Sequence, residues 1–325
     1  MQATINRPLL VADIGGTNAR FGLIESPGAA PSRVRVLAGC DYNGLTEAAL
    51  SYLDGVRPAA ACLAVAAPIT GGRFKMNNAP WAGSAAQIQV DLGLDHVELI
   101  NDFEALALSL PSLHGPDIVA IGPDLPTGGA PMAVLGPGTG LGAAALVPTA
   151  RGWLPVAGEG GHVDLSPGND LEVEVMRLLR AECDSGGAEL LLSGAGLARL
   201  HRLLGLVQGL RSEPLTAADI CASRSDPRCL ETVGVFCAFL GSFAGNAALT
   251  MGARGGVFLG GGILPRIADL LEVSTFRRRF EDKAPQVSDY LAAIPTVLIV
   301  APTPALAGAA AKLDQTLEYA WTPSN

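Results

Sequence analysis

The chain has 325 residues, 49% hydrophobic and 16% charged, which is enough apolar material for one or two large cores and excludes a disordered chain. Lys and Arg number 22 against 31 Asp and Glu, a net charge of −9, which argues against a nucleic-acid partner and favours small-molecule ligands. No basic, apolar leader opens the sequence, and the apolar runs are broken by Gly, Pro or charge short of the ~20 residues that cross a bilayer, so a cytoplasmic protein without a membrane partner is expected.

In chain order, residues 8–25, PLLVADIGGTNARFGLIE, predict a strand, a Gly-Gly turn and a second strand, a hairpin. ACLAVAA (61–67) and HVELIND (96–102) predict buried strands, and FEALALSL an amphipathic helix stopped by Pro111. From residue 112 the chain is rich in Gly and Pro, which marks a lobe boundary. A second glycine hairpin follows at AVLGPGTGLGAAAL. The remainder predicts helices at NDLEVEVMRLLRAE, GLARLHRLLGLV, AADICASR and CLETVGVFCAFLGSFAGNAALTMG. After the strand GVFLGG come a helix at PRIADLLEV, the strand TVLIV and a closing helix started by Pro304. Strands alternating with helices predict an α/β layer. The six cysteines lack a C-x-x-C pair and are expected as reduced core thiols, and Arg277 to Arg279, followed at once by acids, as a solvated helix face.

Gly138, Gly140 and Ala143 have the G-x-G-x-x-A spacing of a dinucleotide-binding turn. That turn must open a helix, and here Pro148, Gly152 and Pro155 break the following segment too often for one. Each glycine hairpin alone is an ordinary glycine-rich turn or an anion-holding one, and the pair favours the anion-holding turn, in which backbone N–H groups approach phosphate with no side chain in the way. In the first, Asp13 could hold a hydrated Mg2+ and Thr17 and Asn18 offer polar groups to phosphate; in the second, Gly138, Thr139 and Gly140 serve. A third cluster, Gly260, Gly261 and Gly262, leaves room for a ring or a phosphate, or is simply a tight strand-to-helix turn.

Asn101 and Asp102 stand where a strand ends and a helix begins. They can cap the helix, or Asp102 can act as the general base of a phosphoryl transfer while Asn101 orients the acceptor. Glu159 and His162, exposed around a double glycine, suit paired hydrogen bonds to the hydroxyls of a polyol. Zinc is disfavoured because no cysteine or second histidine lies close in sequence. Glu189 by itself reads as a surface acid, ahead of a cap and turn at Ser193 and Gly194.

The segments VADIGGTNARFGL, APITGGRFKMNNAPW, LINDFEALA, LGPGTGLGAA, EGGHVDLSP, ELLLSGAGL, GGVFLGGGILPR and FRRRFEDK resemble, in order and spacing, the bacterial glucokinases of the enterobacterial and cyanobacterial type. The resemblance implies a two-lobed actin-like ATPase (ribonuclease H-like) fold with a cleft between a smaller α/β domain, 1–112 plus about 301–325, and a larger one, 113–300. It also implies ATP, Mg2+ and glucose as ligands, and a homodimer. It makes Asp102 the base that deprotonates the glucose 6-hydroxyl, and Asn101, Glu159, His162 and Glu189 hydroxyl ligands, with Asn77 a weaker candidate. Ala12, Asp13, Ile14, Gly15, Gly16, Thr17 and Asn18 resemble one phosphate turn, Gly138 to Gly140 the other, and Gly260 to Gly262 the adenosine side. Ala195 replaces a proline common among these relatives, and the cysteine-rich zinc motif of the repressor-kinase group is missing. Alternatives are another acceptor (mannose or glucosamine), a polyphosphate donor, or a non-catalytic sugar sensor.

Overall fold

The structure, a computed structural model, describes residues 7–26, 28–76, 79–125, 128–210 and 213–320. The chain divides into two compact units. Unit 1 holds residues 1–113, 149–157 and 302–325, and unit 2 holds 114–148 and 158–301.

Unit 1 is built on the predicted hairpin. Strand β1 (Leu9–Ile14) and strand β2 (Asn18–Ile24) pair antiparallel, with the Gly15 N–H donating to the Asn18 carbonyl at 2.9 Å to close the turn. Strand β3 (Ser32–Ala38) extends the edge beyond β2, and helix α1 (Leu45–Leu53) follows. Strand β4 (Ala60–Val65), every residue of it buried, lies parallel to β1. After a short hairpin of β5 (Arg73–Lys75) and β6 (Ala82–Ser84) come helix α2 (Ala85–Leu92), strand β7 (His96–Asn101) and helix α3 (Asp102–Ser109). The sheet order β3-β2-β1-β4-β7 puts the carboxyl ends of three parallel strands along one edge, and both Asp13 and Asn101 belong to that edge. Ligand sites concentrate at such edges of α/β sheets.

The closing helix, Pro304–Ala320, packs against α3 and the face of β1 and β4, so the end of the chain returns to its first sheet. Gly308 permits this approach, because a Cβ there would overlap the Ala105 carbonyl oxygen, which belongs to the backbone of α3 and cannot step aside. Gly308→Ala is therefore expected to destabilise the protein by about 1–3 kcal/mol through overpacking. A lowered urea midpoint would show it, and an unchanged midpoint would mean that the two helices separate freely.

Unit 2 adds strands β8 (Ile118–Ala120), β9 (Met132–Pro137) and β10 (Leu141–Thr149). β8 lies within the stretch read as loop. At three residues it is too short for a periodic signal, and antiparallel pairing from a distant strand defines it. Strand β11 (Gly152–Gly158) follows β10, so the breakers at Pro148 and Gly152 do mark strand and turn in place of a crossover helix. Helices α4 (Asp170–Cys183), α5 (Gly194–Val207) and α6 (Ala217–Ala222) begin at polar N-caps, Asn169, Ser193 and Thr216, whose side chains each accept a backbone N–H.

Helix α7 (Pro227–Met251) starts with Asp226 capping and Pro227 at its first turn and ends at Gly252 in the left-handed region, φ 62°. Its 25 residues are long and apolar enough to span a bilayer, contrary to the expectation that every apolar run stops short. Small residues at Gly234, Gly241 and Gly245 hid the run, and Phe236, Phe239 and Phe243 bury it in the unit's core. Strand β12 (Val257–Leu259), helices α8 (Ala268–Val273), α9 (Phe276–Glu281) and α10 (Ser288–Ala292) and strand β13 (Thr296–Ile299) complete the unit. Its strands run β10-β9-β12-β13-β8.

Two sequence expectations fail here. Only Arg278 of the arginine run is exposed. Arg277 donates to the carbonyls of Leu291, Ala292 and Ile294 and sits 4.7 Å from the Phe280 ring centroid, while Arg279 is buried against Glu172 at 2.5 and 3.0 Å. The partners lie far along the chain, where charge counting does not reach. Of the six free cysteines, Cys40 is exposed and is not a core thiol, while Cys183 is half-buried and packs against the core of unit 2. Cys40 falls in the single surface turn Gly39–Asp41 that links β3 to α1.

Candidate active site

In unit 1, β1 carries Asp13, β7 ends at Asn101, and α3 begins at Asp102. The register aligns Asp13 with Ala64 and Ala64 with Ile100, so the backbones of Asp13 and Ile100, two residues before Asp102, lie about two strand spacings apart, roughly 10 Å. Asp13 stands opposite Arg20 across the hairpin, and the Arg20 Nη1 donates to Asp13 Oδ2 at 3.1 Å. Burial nevertheless raises the Asp13 pKa, with Arg20 pulling the other way.

Asn101 is the N-cap of α3, its Oδ1 accepting the Phe103 N–H at 2.9 Å while its Nδ2 donates to the Ala67 carbonyl at 3.3 Å. The capping role weighed from the sequence is thus real, and it fixes the peptide from which Asp102 projects. Asp102 opens the helix, with Oδ1 3.1 Å from the Phe103 N–H. Its pKa is raised from 3.8 to about 7, chiefly by burial and secondarily by the negative charge of Asp13, against hydrogen bonds that favour the ionised form. A carboxylate tuned close to neutrality can hold or release a proton at working pH, as a general base must.

Gly15, Gly16, Thr17 and Asn18 form the turn after β1, which Ala12 and Ile14 anchor by burial in the sheet. The Gly15 N–H closes the turn itself, and the Thr17 carbonyl accepts the Gly39 N–H at 2.8 Å. Asn77 lies outside the described residues.

In unit 2, the turn Gly138–Gly140 joins β9 to β10, with the Gly138 N–H donating to the Gly140 carbonyl at 2.8 Å. Gly138 and Thr139 share a cavity of about 310 Å³ with Ala217, Ala218, Cys221, Gly262, Ile263 and Arg266. The second and third glycine clusters therefore meet. Gly260 donates to the Leu135 carbonyl at 2.7 Å, and Gly261, at φ 84°, packs so closely on Pro137 that a Cβ would overlap its carbonyl oxygen. The α6 and Arg266 contributions carry no sequence signal, since Ala217, Ala218 and Cys221 read as an ordinary short helix.

Glu159 and His162 are exposed on the loop after β11, with Glu159 Oε2 and His162 Nε2 3.7 Å apart. Glu189 is half-buried, contrary to its reading as a surface acid, and its Oε2 accepts the Leu141 N–H at 2.8 Å. Among the described residues no three His, Cys, Asp or Glu side chains gather as a metal-holding group.

Comparison with known proteins finds relatives along nearly the whole chain. The family model for glucokinases matches residues 10–316. The chain is 45% identical over 317 residues to a glucokinase of Aromatoleum aromaticum, covering 95% of this chain and 96% of that protein. It is 46% identical over 312 residues to one of Chromobacterium violaceum, covering 94% and 89%. Among solved structures, a glucokinase from an Antarctic psychrotroph is similar at 38% identity and a TM-score of 0.86, over 94% of this chain and 98% of that one. The two-lobed mixed α/β architecture is that of the actin-like ATPase fold.

Proposed function

The chain belongs to the glucokinase family, and we propose that Asp102 is the base with which it carries out the ATP-dependent phosphorylation of glucose to glucose 6-phosphate. It is a hexokinase-type phosphotransferase. The observation that carries the assignment is the Asp102 carboxyl, held at the start of α3 and pushed up to about 7. The glucose 6-hydroxyl loses its proton to Asp102 as its oxygen bonds to the γ-phosphorus. The bond from that phosphorus to the bridging oxygen breaks in line, and ADP departs.

Asn101, Glu159, His162 and Glu189 bind the sugar hydroxyls, with Asn77 a further candidate. Carboxylates and imidazole can each bridge neighbouring hydroxyls of a ring. The Asp13–Asn18 and Gly138–Gly140 turns steady the phosphates, and the cavity beside Thr139 and Gly262 is the right size for the nucleoside. A divalent cation fits the donor set of unit 1, where the negative charge of Asp13 makes that of Asp102 costlier and Arg20 neutralises Asp13 in part. Mg2+, bound through water by Asp13, would neutralise phosphate charge. A cytoplasmic location is part of the same proposal. The lobes, 1–112 plus about 301–325 and 113–300 except that 149–157 goes with the first unit, and a homodimer complete the proposal.

A coupled assay over glucose, mannose and glucosamine, with ATP or polyphosphate and with or without Mg2+, tests it. Glucose with ATP and Mg2+ is expected to be preferred by at least about tenfold, since a mis-set hydroxyl leaves polar groups unpaired. Equal rates across the hexoses, or a preference for polyphosphate, would overturn it.

A further inference from the structure

Three segments of unit 2 that the sequence keeps far apart are locked together by backbone hydrogen bonds and one bond to a carboxylate. The Gly138–Gly140 turn is held at both ends by the segment 188–194. At one end the Gly194 N–H donates to the Gly138 carbonyl at 2.8 Å, and at the other the Leu141 N–H donates to Glu189 Oε2 at 2.8 Å. The same segment is tied to the loop of Glu159 and His162, because the Ala188 N–H donates to Val163 O and the Leu165 N–H to Gly186 O, both at 2.8 Å. That loop presses on the start of β10. A Cβ on Gly161 would overlap the Leu141 carbonyl oxygen, and one on Gly160 would lie 2.9 Å from the Ala143 Cβ. At Gly140 a Cβ would stand 2.5 Å from Glu189 Oε2.

We propose that Glu189 is a positioning residue for the phosphate turn, coupling occupancy of the sugar site to the geometry that receives the nucleotide. One carboxylate oxygen, Oε2, is committed to the Leu141 N–H; Oε1 remains to take a sugar hydroxyl. Sugar bound to Oε1 orients the carboxylate, the carboxylate orients the Leu141 peptide, and that peptide sets the end of the turn. Thermodynamic linkage makes the effect reciprocal, so nucleotide at the turn orders the same carboxylate for sugar. The inference rests on the assignment of Glu189 to the sugar, and its test separates the two.

The experiment measures binding of a non-hydrolysable ATP analogue with Mg2+ in the absence of sugar, and of glucose in the absence of nucleotide, for wild type, Glu189→Ala and Glu189→Gln. Loss of a charge-assisted bond to the turn is expected to weaken analogue binding by about tenfold in Glu189→Ala. In Glu189→Gln the amide oxygen can still accept from Leu141, so analogue binding returns to within about threefold of wild type, while glucose binding stays weakened in both. A merely structural role would leave the ratio of glucose affinities measured with and without the analogue at its wild-type value in Glu189→Ala, whereas the coupling predicts that this ratio falls towards one. Analogue binding unchanged in Glu189→Ala, with glucose binding lost, would overturn the coupling and leave the sugar assignment standing. No change in either would overturn both. Gly140→Ala is the second arm, for the case in which Glu189→Ala fails to fold. Its methyl displaces the carboxylate from within the phosphate turn and is expected to weaken glucose binding about fivefold with no nucleotide present. Unaltered glucose binding in that variant would contradict the coupling.

Discussion

Asp102→Asn is expected to lower kcat by about 10²- to 10⁴-fold, the usual contribution of a positioned base, and at the same time to make the protein more stable above pH 7. The two effects share one cause. The folded state holds the Asp102 pKa at about 7, above its ordinary 3.8, so the protonated form is favoured by folding. The wild type therefore pays for the buried charge above pH 7, and the penalty fades as pH falls from 7 towards 4. The full shift corresponds to about 4 kcal/mol. Solvent reaching the half-buried carboxylate reduces the expected gain in the variant to on the order of 1–3 kcal/mol. The amide keeps the size of the side chain and can still accept the Phe103 N–H, so α3 is not disturbed. Denaturation at pH 5 and pH 8 reads it out. A variant equally stable relative to wild type at both pH values would mean that Asp102 ionises without strain.

Arg279→Met is expected to cost about 3–5 kcal/mol, the largest loss of stability among the substitutions considered. Arg279 grips both oxygens of Glu172, and the same carboxylate accepts the Gly168 N–H at 2.7 Å and Asn169 Nδ2 at 3.0 Å. Removing the guanidinium leaves a buried carboxylate with two weaker donors. Gly168 fits only because a Cβ there would collide with the guanidinium. Since Asn169 caps α4 directly after the loop of Glu159 and His162, the pair also fixes where that loop ends. Weakened glucose binding should accompany the lowered denaturation midpoint. The double variant Glu172→Met/Arg279→Met, with no orphaned charge, is expected to recover part of the loss. A double variant as unstable as the sum of the two singles would show that the residues act independently.

The parts of this molecule legible in the sequence are those specified within a dozen residues. The Gly-Gly hairpin, the Asn101 cap and the Pro-led closing helix each carry their own local chemistry. So does the strand after LGPGTG, betrayed by Pro148 and Gly152. Long-range placement was not legible. Arg279 finds Glu172 across 107 residues, and Glu189 finds the Leu141 peptide across 48; neither leaves a trace in local periodicity. The nucleoside-sized cavity depends on Ala217, Ala218 and Cys221, small residues that signal nothing until the fold sets them beside Thr139 and Gly262. The apolar length of α7 was hidden by the glycines that let it pack, Gly241 and Gly245 lying against the backbone of Phe276 and Phe280.

The central claim, that Asp102 is the base, is tested most directly by the pH dependence of initial rates at sub-saturating glucose and ATP, for wild type and Asp102→Asn side by side. The expected wild-type rate falls about tenfold per pH unit below about 7 and is level above it. The residual activity of the variant should lack that limb, retaining only what the nucleotide itself contributes. Parallel profiles for the two proteins would contradict the assignment of Asp102 as the base.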